Sequence, residues 1–147
     1  MVTPEIRPMT VEDLPAVYRL GLECYDVLDK PYNYWTVREV AEHVETEAGL
    51  CFVAVAGGEV VGFALGAETY EVLEDVGHLE WLAVAPSHRG AGLATRLIGA
   101  VVEALAARGR AEVVADVSSA NAASRGLFAR AGFEEGISVT FFRRLLG

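Results

Sequence analysis

The stretch Val84-Ala-Pro-Ser-His-Arg-Gly-Ala-Gly-Leu-Ala-Thr95 joins an apolar segment to a long amphipathic one through two closely spaced glycines. We interpret it as a strand that runs through a glycine-rich turn into a helix, because Pro86 stops the strand and apolar residues then recur at helical spacing. A helix N-terminus presents unpaired amides and partial positive charge, and glycines let a phosphate approach the backbone closely. Arg89 adds a cation there. The stretch therefore predicts a phosphate or pyrophosphate site.

Two common phosphate-binding loops do not match this stretch. A Walker loop needs a lysine after its last glycine, and none is present. A Rossmann fingerprint needs a small third residue where Thr95 stands, within a larger parallel sheet. The structural alternative is a glycine turn that only fits a tight corner.

The flanking segments alternate between strand and helix patterns. Before the glycine stretch we predict a strand at 5–9, helices at 10–27 and 36–49, an aromatic linker between them, and strands at 51–56, 59–65 and 78–85. Thr36-x-x-Glu39 is a capping box that begins the second helix, and Gly57-Gly58 predicts a hairpin between the second and third strands. After it we predict a helix at 90–108, a strand at 113–117, a helix at 121–131 and a strand at 137–145. The order βααβββαβαβ predicts an α/β fold, in which one domain over residues 1–147 carries a mixed central sheet flanked by helices.

Composition excludes several classes of protein. The chain has 147 residues, 52% of them hydrophobic, and a formal charge of -9, so it can bury a core without disulfides or metal and should repel nucleic acid. Cys24 and Cys51 lie in apolar segments and are predicted to be reduced thiols of a cytoplasmic protein. The first residues do not resemble a secretion signal, and no apolar run approaches the ~20 residues of a membrane helix. No metal-ligand spacing links the three histidines, so no metal is expected.

Charge is distributed unevenly along the chain. Residues 1–80 contain 16 acidic and four basic residues, a net charge of -12, whereas residues 81–147 contain five acidic residues and eight arginines, a net charge of +3. The first half therefore suits a cationic partner and the second an anionic one, unless both are simply solvated faces.

Two motifs together resemble the GNAT superfamily of acetyl-CoA-dependent N-acetyltransferases. The acetyl-CoA signature R/Q-x-x-G-x-G/A of that superfamily is matched by Arg89-Gly-Ala-Gly-Leu-Ala94. A second block, N-x-x-[AS]-x-x-x-[YF]-x-x-x-G-F, is matched by Asn121-Ala-Ala-Ser-Arg-Gly-Leu-Phe-Ala-Arg-Ala-Gly-Phe133. The resemblance covers nearly the whole chain, because the predicted element order is also that of the superfamily. Within the superfamily, the sequence looks most like the branch that acetylates ribosomal proteins and protein N-termini.

The resemblance implies how acetyl-CoA is bound. Backbone amides from Arg89 to Thr95 would hold the pyrophosphate, the main chain at Leu82, Ala83 and Val84 would pair with the pantetheine arm, and the Val84 amide would polarise the thioester carbonyl. Asn121 would bind near the thiol, with Arg125 or Arg130 near the 3′-phosphate. The full set of expected acetyl-CoA-binding residues is Leu82, Ala83, Val84, Arg89, Gly90, Ala91, Gly92, Leu93, Ala94, Thr95, Asn121, Ser124, Arg125, Phe128 and Arg130.

The resemblance implies that the acceptor amine attacks the thioester of acetyl-CoA directly, and this reaction needs a base. An alkylammonium of pKa near 10.4 must lose its proton at pH 7, a deficit of roughly 4.6 kcal/mol. Glu80 is the predicted base, directly or through water, and His78 the second candidate; the period of two puts His78 and Leu82 on its face. The alternative is that Glu80 only lines the cleft or pairs with an arginine. We expect His43 and His88 to be structural.

Position 128 departs from the superfamily, whose usual tyrosine protonates the leaving thiolate. Phe128 cannot do so, which is compatible with a protein that binds acyl-CoA without catalysis. A thiol is already a good leaving group, however, so water or another hydroxyl can substitute. Tyr25, Tyr32 and Tyr34 are the candidate hydroxyls.

The acceptor amine is expected to contact the acidic, aromatic N-terminal half. Tyr32, Tyr34, Trp35 and Glu68 are the predicted substrate residues, with further acidic residues at 71–75. The alternative is that the aromatic residues only pack. We predict a protein or peptide N-terminus or a lysine as acceptor; small amines such as polyamines or amino acids are the alternative. The sequence is compatible with a monomer or a homodimer, because the final strand suits either an exposed edge or the core.

Overall fold

The computed structural model describes residues 2–26, 28 and 33–147. Its helices and strands follow the predicted order as far as the last helix, with two short 3₁₀ turns at Val11–Asp13 and Pro86–His88. The strands are β1 (Glu5–Pro8), β2 (Cys51–Ala56), β3 (Glu59–Ala67), β4 (Val76–Val84) and β5 (Glu112–Val114). The α-helices are α1 (Leu14–Cys24), α2 (Val37–Thr46), α3 (Leu93–Ala107) and α4 (Ala122–Arg130). The predicted mixed α/β architecture is thus confirmed.

The five strands form one mixed sheet in the order β1-β2-β3-β4-β5. All neighbours are antiparallel except β4 and β5, which run parallel and pair only over three positions, ending at His78 opposite Val114. Beyond that point β4 continues to Val84 without β5 beside it. The two strands therefore diverge, and the second half of β4 has an open side.

Helices cover both faces of the sheet. On one face, α1 and α2 contribute Val17, Leu20 and Val40 to a core with Phe63 and Trp81. On the other face, α3 packs five apolar residues against the sheet: Leu93, Leu97, Ile98, Val101 and Leu105. Burial of apolar area on both faces is the main stabilising contribution to this arrangement.

The register of β3 on β4 shifts at Glu80. Leu65 lies opposite Trp81, but the next residue of β3, Gly66, lies opposite Leu79, so Glu80 has no partner in β3. Such a β-bulge breaks the strict alternation of side chains. Trp81 packs with the α1/α2 core, whereas Leu82 packs with the α3 core. The predicted sharing of one face by Glu80 and Leu82 is therefore wrong, because the bulge reverses the alternation after Glu80.

The last predicted strand is not formed. Residues 131–147, all of which the structure describes, contain no helix or strand, and Ile137, Phe142 and Leu146 are about nine-tenths exposed. The alternation of apolar residues there favours a strand, but a strand exists only when it pairs with a neighbour. The sheet accordingly has five strands rather than the predicted six.

Other boundaries moved by a few residues. The first predicted helix is divided into a 3₁₀ turn and α1, with Pro15 in the first turn of the α-helix. Thr36 caps α2 as predicted, since its hydroxyl accepts the Glu39 amide at 3.1 Å. No described helix is long and apolar enough to cross a membrane. Both cysteines are free, and burial raises the pKa of the Cys51 thiol to about 12.

Candidate functional site

The glycine-rich turn lies between β4 and α3. Gly90 and Gly92 have φ of 83° and 81°, in the left-handed region that favours glycine. Nothing lies within 4 Å of the position that a Cβ would occupy at either glycine. Leu93, Ala94 and Thr95 form the first turn of α3, so their amides begin the 15-residue helix and have no partner within it. The turn thus has the open approach and the amides that an anion site requires.

The backbone of β4 next to this turn faces the open side of the sheet. The Ala85 amide donates to Val61 O at 2.8 Å and so points toward β3. Because successive amides of a strand point to opposite sides, the amides of Leu82 and Val84 point away from β3. Their carbonyls are occupied from outside the sheet. The Tyr25 hydroxyl donates to Leu82 O at 2.7 Å, and Arg89 Nε donates to Val84 O at 3.0 Å. The guanidinium of Arg89 therefore lies back against β4, and the backbone of the turn is left as the expected contact for phosphate.

The second motif forms α4. The Asn121 side chain caps the helix by accepting the Ser124 amide at 3.0 Å. Arg125 pairs with Glu135 at 2.7 Å and is half exposed. The Phe128 ring meets Phe133 edge to face, at 5.1 Å between centroids. These residues have structural partners already, and their contacts with acetyl-CoA, like that of Arg130, stay predictions.

Glu80 lies in a cluster of titratable side chains between β4 and α2. Its Oε2 accepts a hydrogen bond from the Tyr34 hydroxyl at 2.8 Å. Its Oε1 lies 3.4 Å from His43 Nε2 and 3.7 Å from His78 Nδ1. Glu39 closes the cluster, because its Oε1 is 3.6 Å from His43 Nδ1 and accepts the indole N–H of Trp81 at 3.0 Å. Side chains from a helix, a linker and a strand thus converge on one carboxylate.

Burial and hydrogen bonding shift the pKa values of the side chains in this cluster in different directions. Burial, and then the nearby Glu80 carboxylate, raise the pKa of Glu39. Burial alone would raise the pKa of Glu80 too, but hydrogen bonds from His43 and Glu39 outweigh it and lower that pKa. Burial also opposes charging of His43, yet its bonds to Glu80 and to the Glu39 carbonyl raise its pKa. Glu80 is therefore ionised at neutral pH and lies beside an imidazole whose own pKa is raised.

The tautomer of His43 follows from its backbone contact. Nδ1 lies 2.9 Å from the Glu39 carbonyl oxygen, which can only accept, so Nδ1 carries a proton. Nε2 then faces Glu80 and must also be protonated to be attracted to it. The ring is 6% exposed. His43 was expected to be structural; the structure brings it into contact with the predicted base.

His78 approaches the same oxygen of Glu80 as His43 does. Its Nε2 is 3.0 Å from Asp116 Oδ1, and the Asp116 side chain is 62% exposed. The ring stands perpendicular to Tyr70, with 4.9 Å between centroids. The two nitrogens of His78 therefore face two carboxylates, one inside the site and one at the surface.

An open pocket of about 260 Å³ adjoins Glu80. Four carboxylates line it, from Glu39, Glu42, Glu47 and Glu80, together with His43, Thr46 and Ala67. The α2 contributors, at positions 39, 42, 43, 46 and 47, are spaced by three or four residues and so share one helix face. The pocket concentrates negative charge beside the predicted base, which favours a cationic ligand.

The structure places only one of the predicted substrate residues that it describes, Tyr34, in contact with Glu80. Tyr34 is half exposed and contacts Glu80, as a site residue should. Trp35 does not line a cleft: it is 4% exposed and stacks on Phe63, and its indole N–H donates to Tyr18 O at 2.9 Å. Glu68 faces Arg108 and Arg110, at 3.9 and 4.0 Å, rather than the pocket. Tyr32 lies outside the described residues.

Burial explains why Trp35 was misassigned and why one proposed hydroxyl is poorly suited. A Cβ on Gly21 would come within 2.1 Å of Trp35 Cε2, so the indole occupies the space that this glycine leaves. Tyr25 meets Trp35 and Trp81 in the same aromatic cluster, with centroids 5.2 Å away in each case. Burial raises the pKa of Tyr25, whose hydroxyl is already engaged with Leu82 O. Of the linker aromatics that the structure describes, Trp35 thus belongs to the core, whereas Tyr34 contacts Glu80.

Sequence reasoning missed Glu39, Glu42, Glu47, His43 and Asp116. Glu39 was read only as part of a helix cap, and the acid–histidine–acid spacing at 39, 43 and 47 was a signal that could have identified the polar face of α2. Glu39, His43 and Glu80 offer three potential ligand atoms within 4.8 Å of one another. Their hydrogen bonds and opposite charges account for that closeness, and we assign no metal to them.

Comparison with known proteins identifies relatives. The sequence profile described as "Acetyltransferase (GNAT) family" matches residues 14–133. The aminoglycoside N-acetyltransferase AAC(6')-Iy, solved in complex with CoA, is 28% identical with a TM-score of 0.78, and the match covers 98% of this chain and 96% of that one. The ribosomal-protein-S18-alanine N-acetyltransferase of Escherichia coli is 26% identical with a TM-score of 0.74, covering 91% and 79%. Diaminobutyrate acetyltransferase EctA of Paenibacillus lautus, at 22% identity and a TM-score of 0.73, covers 88% and 75% and shares the fold.

Proposed function

Because this chain belongs to the acetyltransferase (GNAT) family and is therefore an N-acetyltransferase that uses acetyl-CoA, we propose that its acceptor is a small molecule with several protonated amines. The observation that carries this proposal is the pocket with four carboxylates. Its volume of about 260 Å³ suits an alkyl diamine or one amino-sugar ring. One ammonium would sit at Glu80 and others against Glu42 and Glu47.

The donor side of the reaction would be organised by the backbone. We assign the pyrophosphate of acetyl-CoA to the amides of residues 89–95, where α3 begins, and the pantetheine arm to the open side of β4. The Val84 amide is the proposed donor to the thioester oxygen, where charge develops as the amine attacks. Arg89 supports this geometry, since its bond to Val84 O holds the turn against the strand.

Glu80 is the proposed base of the acceptor side. Four residues separate Glu80 from Val84, about 13 Å along an extended strand. That offset leaves room for the amine and for one or more ordered waters between the carboxylate and the thioester. Because Glu80 is ionised at neutral pH, it attracts the ammonium and then receives its proton, directly or through water. Tyr34 and His43 orient the carboxylate by contacting its two oxygens.

An acceptor screen that reads free-thiol release tests this function. Polyamines, amino-sugar compounds, lysine peptides and N-terminal peptides are compared, and a multiply charged small amine is expected to have the highest kcat/KM. In Glu42→Gln the KM for that amine should rise by about three- to tenfold, since one carboxylate pairing is lost. Glu45→Gln is the matched control, because Glu45 is exposed on the same helix but does not line the pocket.

A protein or peptide N-terminus is the second candidate acceptor. The likeness to the ribosomal-protein-S18-alanine N-acetyltransferase supports it, as does the open form of the pocket. A preference for peptides, with KM unaffected by Glu42→Gln, would replace the small-amine proposal. Acetyl-CoA binding without turnover of any acceptor would instead point to an acyl-CoA sensor, the reading that Phe128 suggested.

We further propose that residues 1–147 act as one N-acetyltransferase domain in the cytoplasm. Free thiols at Cys24 and Cys51 support the location, since oxidising compartments favour disulfides.

A further inference from the structure

We propose that His78 and Asp116 form the outlet through which the proton released by the acceptor amine passes from Glu80 to bulk water. This inference rests on the proposed role of Glu80 as base. It concerns a problem that the pocket creates: once amine and acetyl-CoA fill the site, water reaches Glu80 less easily, and the captured proton needs another route before the next turnover.

The buried neighbours of Glu80 offer no such route. His43 Nδ1 already donates to the Glu39 carbonyl, which cannot pass a proton onward, and the ring is 6% exposed. Glu39 beyond it accepts the Trp81 indole N–H and lines the same pocket that the amine fills. A proton moved to this side would therefore stay within the occupied site.

Tyr34 is a weaker route than His78. Its hydroxyl donates to Glu80 Oε2 at 2.8 Å, so it holds the carboxylate oxygen opposite the one that His78 approaches. A phenol must give up its only proton to relay another, whereas an imidazole has two nitrogens, one of which can accept a proton while the other donates one.

The geometry of His78 is that of a relay. Nδ1 lies 3.7 Å from Glu80 Oε1, and Nε2 lies 3.0 Å from Asp116 Oδ1. The first distance is longer than a hydrogen-bond distance by under about 1 Å, and a small rotation of the side chain closes that gap. Catalytic contacts are often long before the substrate binds. The side chain of His78 is 13% exposed and that of Asp116 is 62% exposed, so the path runs from the interior to water.

The sheet fixes this pair at the point where its strands separate. His78 and Val114 are the last partners in the parallel pairing of β4 and β5. Asp116 follows Val114 by two residues, just beyond the end of β5, and its carboxylate lies beside the His78 ring. Tyr70 packs edge to face with the imidazole and limits its orientation.

The proton balance is simple. The ammonium N–H is transferred to Glu80, the Glu80 proton moves to His78 Nδ1, and the resulting imidazolium, stabilised by Asp116, loses its Nε2 proton to water. After the product leaves, exchange with water removes the Nδ1 proton and returns one to Nε2, which restores the starting tautomer. No bond other than N–H and O–H is made or broken in the relay.

Buffer rescue in His78→Ala tests the outlet. We expect kcat to fall about tenfold or more, the KM for the amine to change less than about twofold, and kcat to recover as imidazole is added, because a free imidazole can take the place of the ring. Asp116→Asn, at an exposed position that tolerates substitution, should lower kcat about three- to tenfold with its own rescue by small buffers. Tyr34→Phe is the comparison variant and should show no rescue.

Several results would overturn the outlet. One is an unchanged kcat in both His78→Ala and Asp116→Asn, and another is a loss of kcat with no response to buffer. Rescue in Tyr34→Phe but not in His78→Ala would assign the route to Tyr34 instead. The assay uses whichever amine the screen identifies, so a peptide acceptor would refute the proposed acceptor class while the rescue result still decides the outlet.

Discussion

His43 Nε2 lies 3.4 Å from Glu80 Oε1, and its other ring nitrogen is fixed by the carbonyl of Glu39 one helical turn earlier. The contact brings the helix α2 to the proposed base. It helps to keep the pKa of Glu80 low, and under the proposed function the acceptor ammonium would meet a carboxylate that is already oriented. The sequence alone predicts only a structural role for the same histidine.

Replacing Glu80 with glutamine should remove the base and leave His43 without its partner. We expect kcat to fall by about 10²–10⁴-fold, with a much smaller effect on acetyl-CoA affinity, because the amide cannot accept the proton. Steady-state kinetics and calorimetry with acetyl-CoA measure the two effects separately. An unaltered pH–rate profile in Glu80→Gln would show that the base lies elsewhere.

Stability should depend on pH through the same cluster. The folded pKa of Glu39 is raised to about 7, so its contribution is present below pH 4.5 and is lost as pH rises through 7. The raised pKa of His43 acts in the same direction above its usual 6.5, whereas the lowered pKa of Glu80 costs stability as pH falls below 4.5. Stability should therefore be greatest at mildly acidic pH.

Urea unfolding at pH 5.5 and 7.5 measures this dependence. In Glu39→Gln the decline between the two pH values should shrink by about 1 kcal/mol, since solvent screens a partly exposed carboxyl. Glu45→Gln is the matched control, because it makes the same substitution at an exposed position of the same helix. It should leave the decline as it is in the unmodified protein. An equal decline in Glu39→Gln and the unmodified protein would contradict the assignment.

Acetyl-CoA affinity should depend on the open space at Gly92. Gly92→Glu introduces a side chain at φ of 81° and a negative charge where phosphate is expected, so Kd should rise by about 10- to 100-fold. Gly99→Glu is the matched control, because Gly99 lies further along α3 with nothing within 4 Å of its Cβ position. Calorimetry compares them, and similar affinities would refute a phosphate site at the turn.

Trp35 and Tyr34 should behave differently although they are adjacent in sequence. Trp35→Ala is expected to lower the free energy of unfolding by about 3–5 kcal/mol, because it empties a site in the aromatic core. Tyr34→Phe should leave stability within about 1 kcal/mol and change the kinetics, because it removes one hydrogen bond to Glu80. Denaturation and steady-state assays on both variants check the distinction; a Trp35→Ala protein of normal stability with a raised KM would restore Trp35 to the acceptor site.

The sequence by itself determined the elements whose signal is local. The glycines at 90 and 92, the capping residue Thr36 and the hairpin glycines at 57 and 58 each act within a few residues, and the structure has them as expected. The two family motifs likewise identified the acetyltransferase fold, because each motif is a continuous stretch. The choice of Glu80 as candidate base also came from its place on a strand that local patterning had identified.

Only the tertiary structure decided which side chains surround Glu80 and whether the last predicted strand joins the sheet. The bulge at Glu80 depends on the register of β3 against β4, which alternation along one strand cannot reveal. His43 lies in α2, 37 residues before Glu80, and Asp116 lies just after β5, 36 residues beyond Glu80, so no local pattern links them. The last predicted strand has suitable residues but pairs with no strand in the sheet. Contacts between distant segments fix pairing, burial and charge, whereas sequence alone fixes what each segment favours.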